Sequence, residues 1–160
     1  MRLPLVDPIE LATYRPDLAG AFASLNREWI ERLFRVEASD AAVLADPEGY
    51  IIRPGGQIFF ALDNGTAVGT VAAVRGSNGV FELAKMAVSP AYQGRGLGER
   101  LGQAAVDFAR EAGARMIFLE TNSRLANAIR LYERLGFAHA PHPSASAYER
   151  SDVYMALHFR

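Results

Sequence analysis

The residues best suited to do chemistry stand in one short run, Gln93-Gly94-Arg95-Gly96-Leu97-Gly98. Directly after it, Leu97, Leu101, Ala105, Phe108 and Ala109 recur at helical spacing, which predicts a helix with one buried stripe. The glycines therefore lie at a helix start. Such a start leaves its first backbone N–H groups without partners and carries partial positive charge, so a phosphate placed there gains hydrogen bonds and a favourable dipole. Glycine removes side chains that would block its approach. Two familiar phosphate loops are excluded: a dinucleotide fingerprint needs glycine where Glu99 stands, and a Walker loop needs a Gly-Lys-Ser/Thr ending that is absent. The chain has no cysteine, so disulfides, thiolate metal sites and cysteine nucleophiles are excluded together.

The elements that must hold this loop can be read on either side of it. Phe81 to Val88 is mostly apolar and stops at Ser89-Pro90, where proline enforces extended geometry and removes a ladder donor. Upstream, Ile9, Leu11 and Thr13 alternate as a first strand. Leu18, Phe22, Leu25, Trp29 and Leu33 mark a helix starting near Asp17, with Arg27, Glu28, Glu31 and Arg32 facing outward. Ser39-Asp40 reads as the N-cap of a second helix ending at Ala45. Gln57 to Leu62 and Ala67 to Arg75 form a hairpin about Asn64-Gly65, and Gly76 to Gly79 turns into the Phe81 strand. Downstream come a strand from Met116 to Glu120, a helix bearing Ala128, Leu131 and Leu135 and closed by Gly136, a strand over Phe137 to Ala140, a proline-punctuated loop over 141–147, and a last strand over Val153 to Phe159. Three successive antiparallel strands exclude a purely alternating doubly wound domain, while the strand, crossover helix and strand that follow imply parallel pairing.

Read together, Gln93, Gly96 and Gly98 spell Q-x-x-G-x-G after a strand ending Met86-Ala87-Val88, which resembles the acetyl-coenzyme A signature of the GCN5-related N-acetyltransferase (GNAT) superfamily. A second segment, Asn127-Ala128-Ile129-Arg130-Leu131-Tyr132-Glu133-Arg134-Leu135-Gly136-Phe137, resembles the family's other landmark, in which an asparagine and a tyrosine face the coenzyme. The element order β-α-α-β-β-β-α-β-α-β-β matches as well, so the resemblance spans essentially all of residues 1–160, read as one domain. It implies an α/β (α+β) fold with a mixed sheet splayed beside the glycine turn. It implies acetyl-CoA as co-substrate, held by Met86, Ala87, Val88, Gln93, Gly94, Arg95, Gly96, Leu97, Gly98 and Asn127. Transfer to a primary amine by direct attack would use Tyr132 as acid and Glu82 as base. Glu82 falls where histone-acetylating members carry a glutamate, and strict alternation puts it on one strand face with Met86 and Val88.

Each assignment has a plainer reading beside it. Asn127 and Tyr132, five residues apart on a helix, diverge by about 140°; alone they would be a solvent-facing residue and a core tyrosine. Glu82 could be a salt bridge to an arginine, and Glu120 or a water relay could replace it as base. The chemistry favours a phenol near the sulfur. Its pKa of about 10 lies above the roughly 8.5 of a thiol, so it keeps its proton at neutral pH and offers it as the thiolate forms. An ammonium acceptor must instead lose a proton before it can attack.

Two other functions compete: a non-catalytic acyl-coenzyme A sensor of the same fold, and a nicotinamide oxidoreductase, which fails at Glu99 and on strand order. The formal net charge of -1 gives no overall attraction to nucleic acid or anionic lipid. His139 and His142 read as a surface pair rather than a metal site. MRLPLVDPIE is too polar for a signal peptide and no apolar run nears membrane-spanning length, so a cytoplasmic location is expected. The acceptor is expected to be the amine of a small molecule, amino acid or peptide. Glu37 and Asp40 with Tyr148 and Glu149 would line a site for a cation. The oligomeric state is open, a homodimer included.

Overall fold

The computed structural model describes residues 8–144, 146 and 148–160. Residues 1–7, which carry most of the N-terminal reading, and Ala145 and Ala147 of the late loop lie outside the described residues. Seven strands form one sheet: β1 (Ile9–Thr13), β2 (Gln57–Asp63), β3 (Thr66–Arg75), β4 (Val80–Val88), β5 (Met116–Thr121), β6 (Ala138–His139) and β7 (Val153–His158), in the order β1-β2-β3-β4-β5-β7-β6. Among the described residues only β4 and β5 pair in parallel. Four helices cover the sheet: α1 (Ala19–Leu33), α2 (Ala38–Ala45), α3 (Leu97–Glu111) and α4 (Ala126–Leu135). The order and the parallel crossover agree with the sequence reading.

Alternation along the strands supplies a core on each face. Ile58, Phe60, Leu62 and Ala72 pack under Leu18, Phe22 and Leu44 on the α1/α2 side. Val71, Ala73, Phe81 and Leu83 pack with Leu101, Ala105 and Tyr132 on the α3/α4 side. Central strands buried on both faces explain why so few of their residues are polar.

One residue breaks this alternation. Lys85 has φ +56°, in the left-handed region unusual for a side-chain-bearing residue. There the β3 register jumps: Thr70 faces Ala87 whereas Ala72 faces Ala84, two steps on one strand against three on the other. This is a β-bulge. Met86 and Val88 thus join the α3 core with Phe81 and Leu83, while Glu82, opposite Val74, points to the α1/α2 side. The expectation that Glu82 shares a face with Met86 and Val88 is corrected: an inserted residue reverses facing beyond it. A bulge also bends its strand. β4 pairs with β5 only from Val80 to Glu82 and then departs from it, so the sheet opens.

Local readings shift elsewhere too. The fully buried line of α1 is Phe22, Asn26 and Ile30, one step around from the expected stripe. Asn26 is tolerated inside because its amide donates to the Phe22 carbonyl at 3.0 Å. Leu25, Trp29 and Leu33 flank that line. α2 is capped from Glu37 rather than Ser39, with the Asp40 carboxylate accepting the Glu37 N–H at 3.0 Å.

Candidate active site

Where β4 and β5 part, a cleft of about 720 Å³ runs into the sheet, a size suited to a sizeable organic ligand. Its walls come from the C-terminal turn of α1, the exposed length of β4, the glycine turn with the start of α3, the end of β5, α4, and the segment before β7. Met86, Ala87, Val88, Gln93, Gly94, Gly96, Leu97, Gly98, Asn127, Tyr132, Glu82 and Glu120 all line it. Sequence positions far apart are thereby brought to one surface. Arg95 is the exception among the expected residues; its guanidinium lies over the Tyr92 ring, 4.8 Å from the centroid.

The helix start has the form expected of an anion cradle. Gly96 is the N-cap of α3 with φ +77°, and nothing lies within 4 Å of the position a Cβ would take there. The space is open and the backbone conformation strongly favours glycine. Gly98 differs: a Cβ there would stand 3.1 Å from Leu131 Cδ2, so its lack of a side chain also lets α4 close on α3. Gln93 turns its amide back to the Val88 carbonyl at 3.0 Å, latching the turn to the strand end.

Burial sets the proton affinities. Glu82 is pushed up to about 7, first by desolvation and then by the neighbouring charge of Glu120, with Lys85 opposing. Among the described residues it forms no salt bridge with an arginine. Tyr132, 7% exposed with its ring edge-on to Phe137, is pushed up to about 12 by desolvation. Glu120 is not free-standing: its carboxylate is hydrogen-bonded to His142 Nε2, while His142 Nδ1 accepts the Ser144 N–H at 3.0 Å. Of the expected surface pair His139 is exposed, whereas His142 turns inward. No cluster suited to a metal ion occurs among the described residues.

The acidic lining expected for a cation is overturned. Asp40 is fully buried and is held by Arg150 through two bonds, 2.6 and 2.7 Å, and by Lys85 Nζ at 2.6 Å. Burial alone would raise Asp40; the bonds from Arg150 and Lys85 outweigh it and hold the carboxyl at about 2. Glu37 accepts from Arg150 at 3.1 Å and from the Glu149 N–H at 3.0 Å, and Glu149 pairs with Arg35 at 2.6 Å. Asp40 and Glu37 neutralise the inward-facing cations Lys85 and Arg150, and together with the exposed Arg35–Glu149 pair they tie the segment before β7 to α1 and α2. Sequence reading missed Lys85 and Arg150, both lining the cleft. The one available signal was a lone lysine in an apolar strand, which needs a buried partner.

A profile of the Acetyltransferase (GNAT) family matches residues 23–137. The chain belongs to this family. The uncharacterized N-acetyltransferase YjgM of Escherichia coli K12 is 34% identical over 126 residues, covering 69% of this chain and 75% of that protein. The N-acetylaspartate synthetase of Rattus norvegicus is 35% identical over 98 residues, 60% of this chain, and the match spans only 33% of the synthetase. Among solved structures, yncA of Salmonella typhimurium, determined with its cofactor acetyl-CoA, superposes with a TM-score of 0.75 at 23% identity, covering 95% of this chain and 94% of that one. The protein is thus an acetyl-CoA-dependent acyltransferase with the GNAT fold. No helix of the described residues is long and apolar enough to cross a membrane.

Proposed function

We propose that the protein acetylates a primary amine by direct attack on acetyl-CoA, with Glu82 as the base and Tyr132 as the hydrogen-bond donor to sulfur. The observation that carries this reading is the joint presence, on one cleft, of an open helix start, a carboxylate poised near 7 and a buried phenol. Acetyl-CoA supplies an activated acyl carbon and a thiolate leaving group. The open N-cap at Gly96 fits its phosphates, with Gly94, Leu97 and Gly98 completing the cradle, and Met86 to Val88 offer an unpaired strand edge to its amide-bearing arm. Asn127 and Gln93 frame that arm.

Glu82 in its carboxylate form takes the proton of the bound ammonium. The freed lone pair attacks the acyl carbon, the carbon–sulfur bond breaks, and the second proton of the new amide passes to water or to sulfur. Tyr132 is better suited to a hydrogen bond than to full transfer. From about 12 to a thiol near 8.5, complete proton loss would be uphill by roughly 5 kcal/mol, whereas a donated hydrogen bond stabilises developing charge at no such cost.

Two experiments test the reading. Tyr132→Phe keeps the ring and its packing, and is expected to lower kcat roughly 10 to 1000 fold with coenzyme A affinity nearly constant; release of free thiol measures it. A full-rate Phe variant would return Tyr132 to a purely structural role. Gly96→Val forces a branched side chain into a left-handed N-cap that opens onto the cradle. Calorimetric titration is expected to show coenzyme A binding weakened at least about tenfold, against a modest loss of melting temperature. Unchanged affinity in a folded variant would remove the helix start from the binding site.

A further inference from the structure

Resting on the acetyl-transfer reading above, we propose that the acceptor is an amino acid, an amine carrying its own carboxylate, and that Arg124 holds that carboxylate at the acceptor mouth of the cleft. Three observations on charge lead there. Of the carboxylates that might have received a cationic acceptor, Glu37 and Asp40 are held by Arg150 and Lys85, and Glu149 pairs with Arg35 in solvent; none of the three lines the cleft. Conversely, the charges of Lys85 and Arg150 are already met by those same groups. Arg124 lines the cleft yet makes no ion pair with any carboxylate among the described residues.

Its surroundings hold it ready. The guanidinium lies 5.0 Å from the Phe34 ring centroid, bridging the start of α4 to the end of α1. Phe34 is itself edge-on to Trp29. A contact with a ring face uses none of the guanidinium N–H donors, so they remain for a forked bond to a carboxylate. The backbone beneath is fixed as well: the Arg124 N–H bonds Asn122 Oδ1 at 2.8 Å. Asp152, which reaches the neighbouring Ser123, is engaged by it, accepting its N–H at 2.8 Å and its hydroxyl at 2.7 Å. An arginine held over an aromatic ring, with a pinned backbone and no carboxylate partner among the described residues, is suited to an external anion.

The other arginines of this wall look elsewhere. Arg130 bonds Asn127 one turn back on α4, and Arg134 reaches Glu99 in the first turn of α3 at 3.2 Å, so Arg130 has a partner on its own helix and Arg134 faces the glycine-turn side. Arg124 stands at the opposite, α1 end. A molecule with an ammonium directed to Glu82 and a carboxylate directed to Arg124 matches the charges of that end with no buried ion left over.

Thiol release is measured with a panel of α- and ω-amino acids, each beside its carboxamide and its decarboxylated amine. At least one acid is expected to exceed its two analogues in kcat/KM by about 10 to 100 fold, the worth of a hydrogen bond to a charged partner. Arg124→Gln is expected to erase most of that preference through a raised KM for the acid, with coenzyme A titration unchanged, and Arg124→Lys to restore part of it. Amides and simple amines turning over as well as acids would overturn the proposal. So would an Arg124→Gln enzyme that keeps the full acid preference. If coenzyme A binds but no amine of any kind releases thiol, the acetyl-transfer reading itself fails, and the acceptor assignment fails with it.

Discussion

Replacing Glu82 by Gln is expected to lower kcat/KM for the amine by roughly 10² to 10⁴ fold, the range of a positioned general base. The same change should flatten the pH profile. In the unaltered enzyme the carboxylate must be ionised to accept a proton, so kcat/KM should rise with pH through about 7, where burial and Glu120 have placed this group. Stability should move the other way. Raising a carboxyl from 4.5 to about 7 means that the folded state favours the protonated form. Its contribution is therefore complete below about 4.5 and lost as pH rises through 7. The shift corresponds to about 3 kcal/mol. Glu82→Gln should then melt higher than the parent at pH 8 and equally near pH 4. A variant that keeps both its rate and its pH profile would move the base to Glu120 or to water. Higher stability with lost activity is the signature expected of a group kept for chemistry at a cost in stability.

Asp40→Asn is expected to cost about 3 to 5 kcal/mol at pH 7, because it preserves shape while stranding the buried charge of Lys85 and leaving Arg150 with Glu37 alone. Lys85 is only 8% exposed and Asp40 is wholly buried, so water cannot take the carboxylate's place cheaply. For a chain of this length the melting temperature should fall by roughly 10 °C or more. The sign with pH is set by the depressed carboxyl. Its stabilisation is full above 3.8 and lost as pH falls through about 2, so parent and variant should converge in strong acid. Thermal unfolding followed at pH 7 and pH 2 measures both limits. A loss under about 1 kcal/mol would mean that the network is solvated and does not hold the segment before β7. The same network carries Tyr148 and Arg150 to the cleft wall, so the variant should also show a raised KM for the acceptor before any change in coenzyme affinity.

Where local physics decides, the amino-acid sequence was sufficient. The stretch from Phe81 to Arg110 declared itself because an apolar run, a proline stop, a glycine turn and a 3.6-residue stripe are each short-range signals. The hairpin about Asn64-Gly65 and the parallel crossover to β5 follow from the same kind of evidence. So does the helix that carries Tyr132, whose Leu131 and Leu135 repeat at helical spacing; the expectation that Tyr132 faces the cleft came from the resemblance of its segment to the family motif.

What the sequence did not carry was set by contacts between residues far apart along the chain. Lys85 takes a left-handed φ inside a strand, and nothing in its neighbours announces it. Its ammonium is drawn to Asp40, 45 positions earlier; the bulge that accompanies this sends Glu82 and Met86 to opposite faces. Asp40 and Glu37 looked like acceptor-binding acids because a sequence lists charges without their partners. Arg150 lies 110 positions from Asp40, and only folding brings them together. Arg124 resembled any loop arginine until Phe34 was found beneath it. Periodicity and turn chemistry therefore determined the elements and the glycine turn at one end of the cleft, while the tertiary structure alone decided the charge of the other end, since net charge there depends on which ions neutralise one another across the fold.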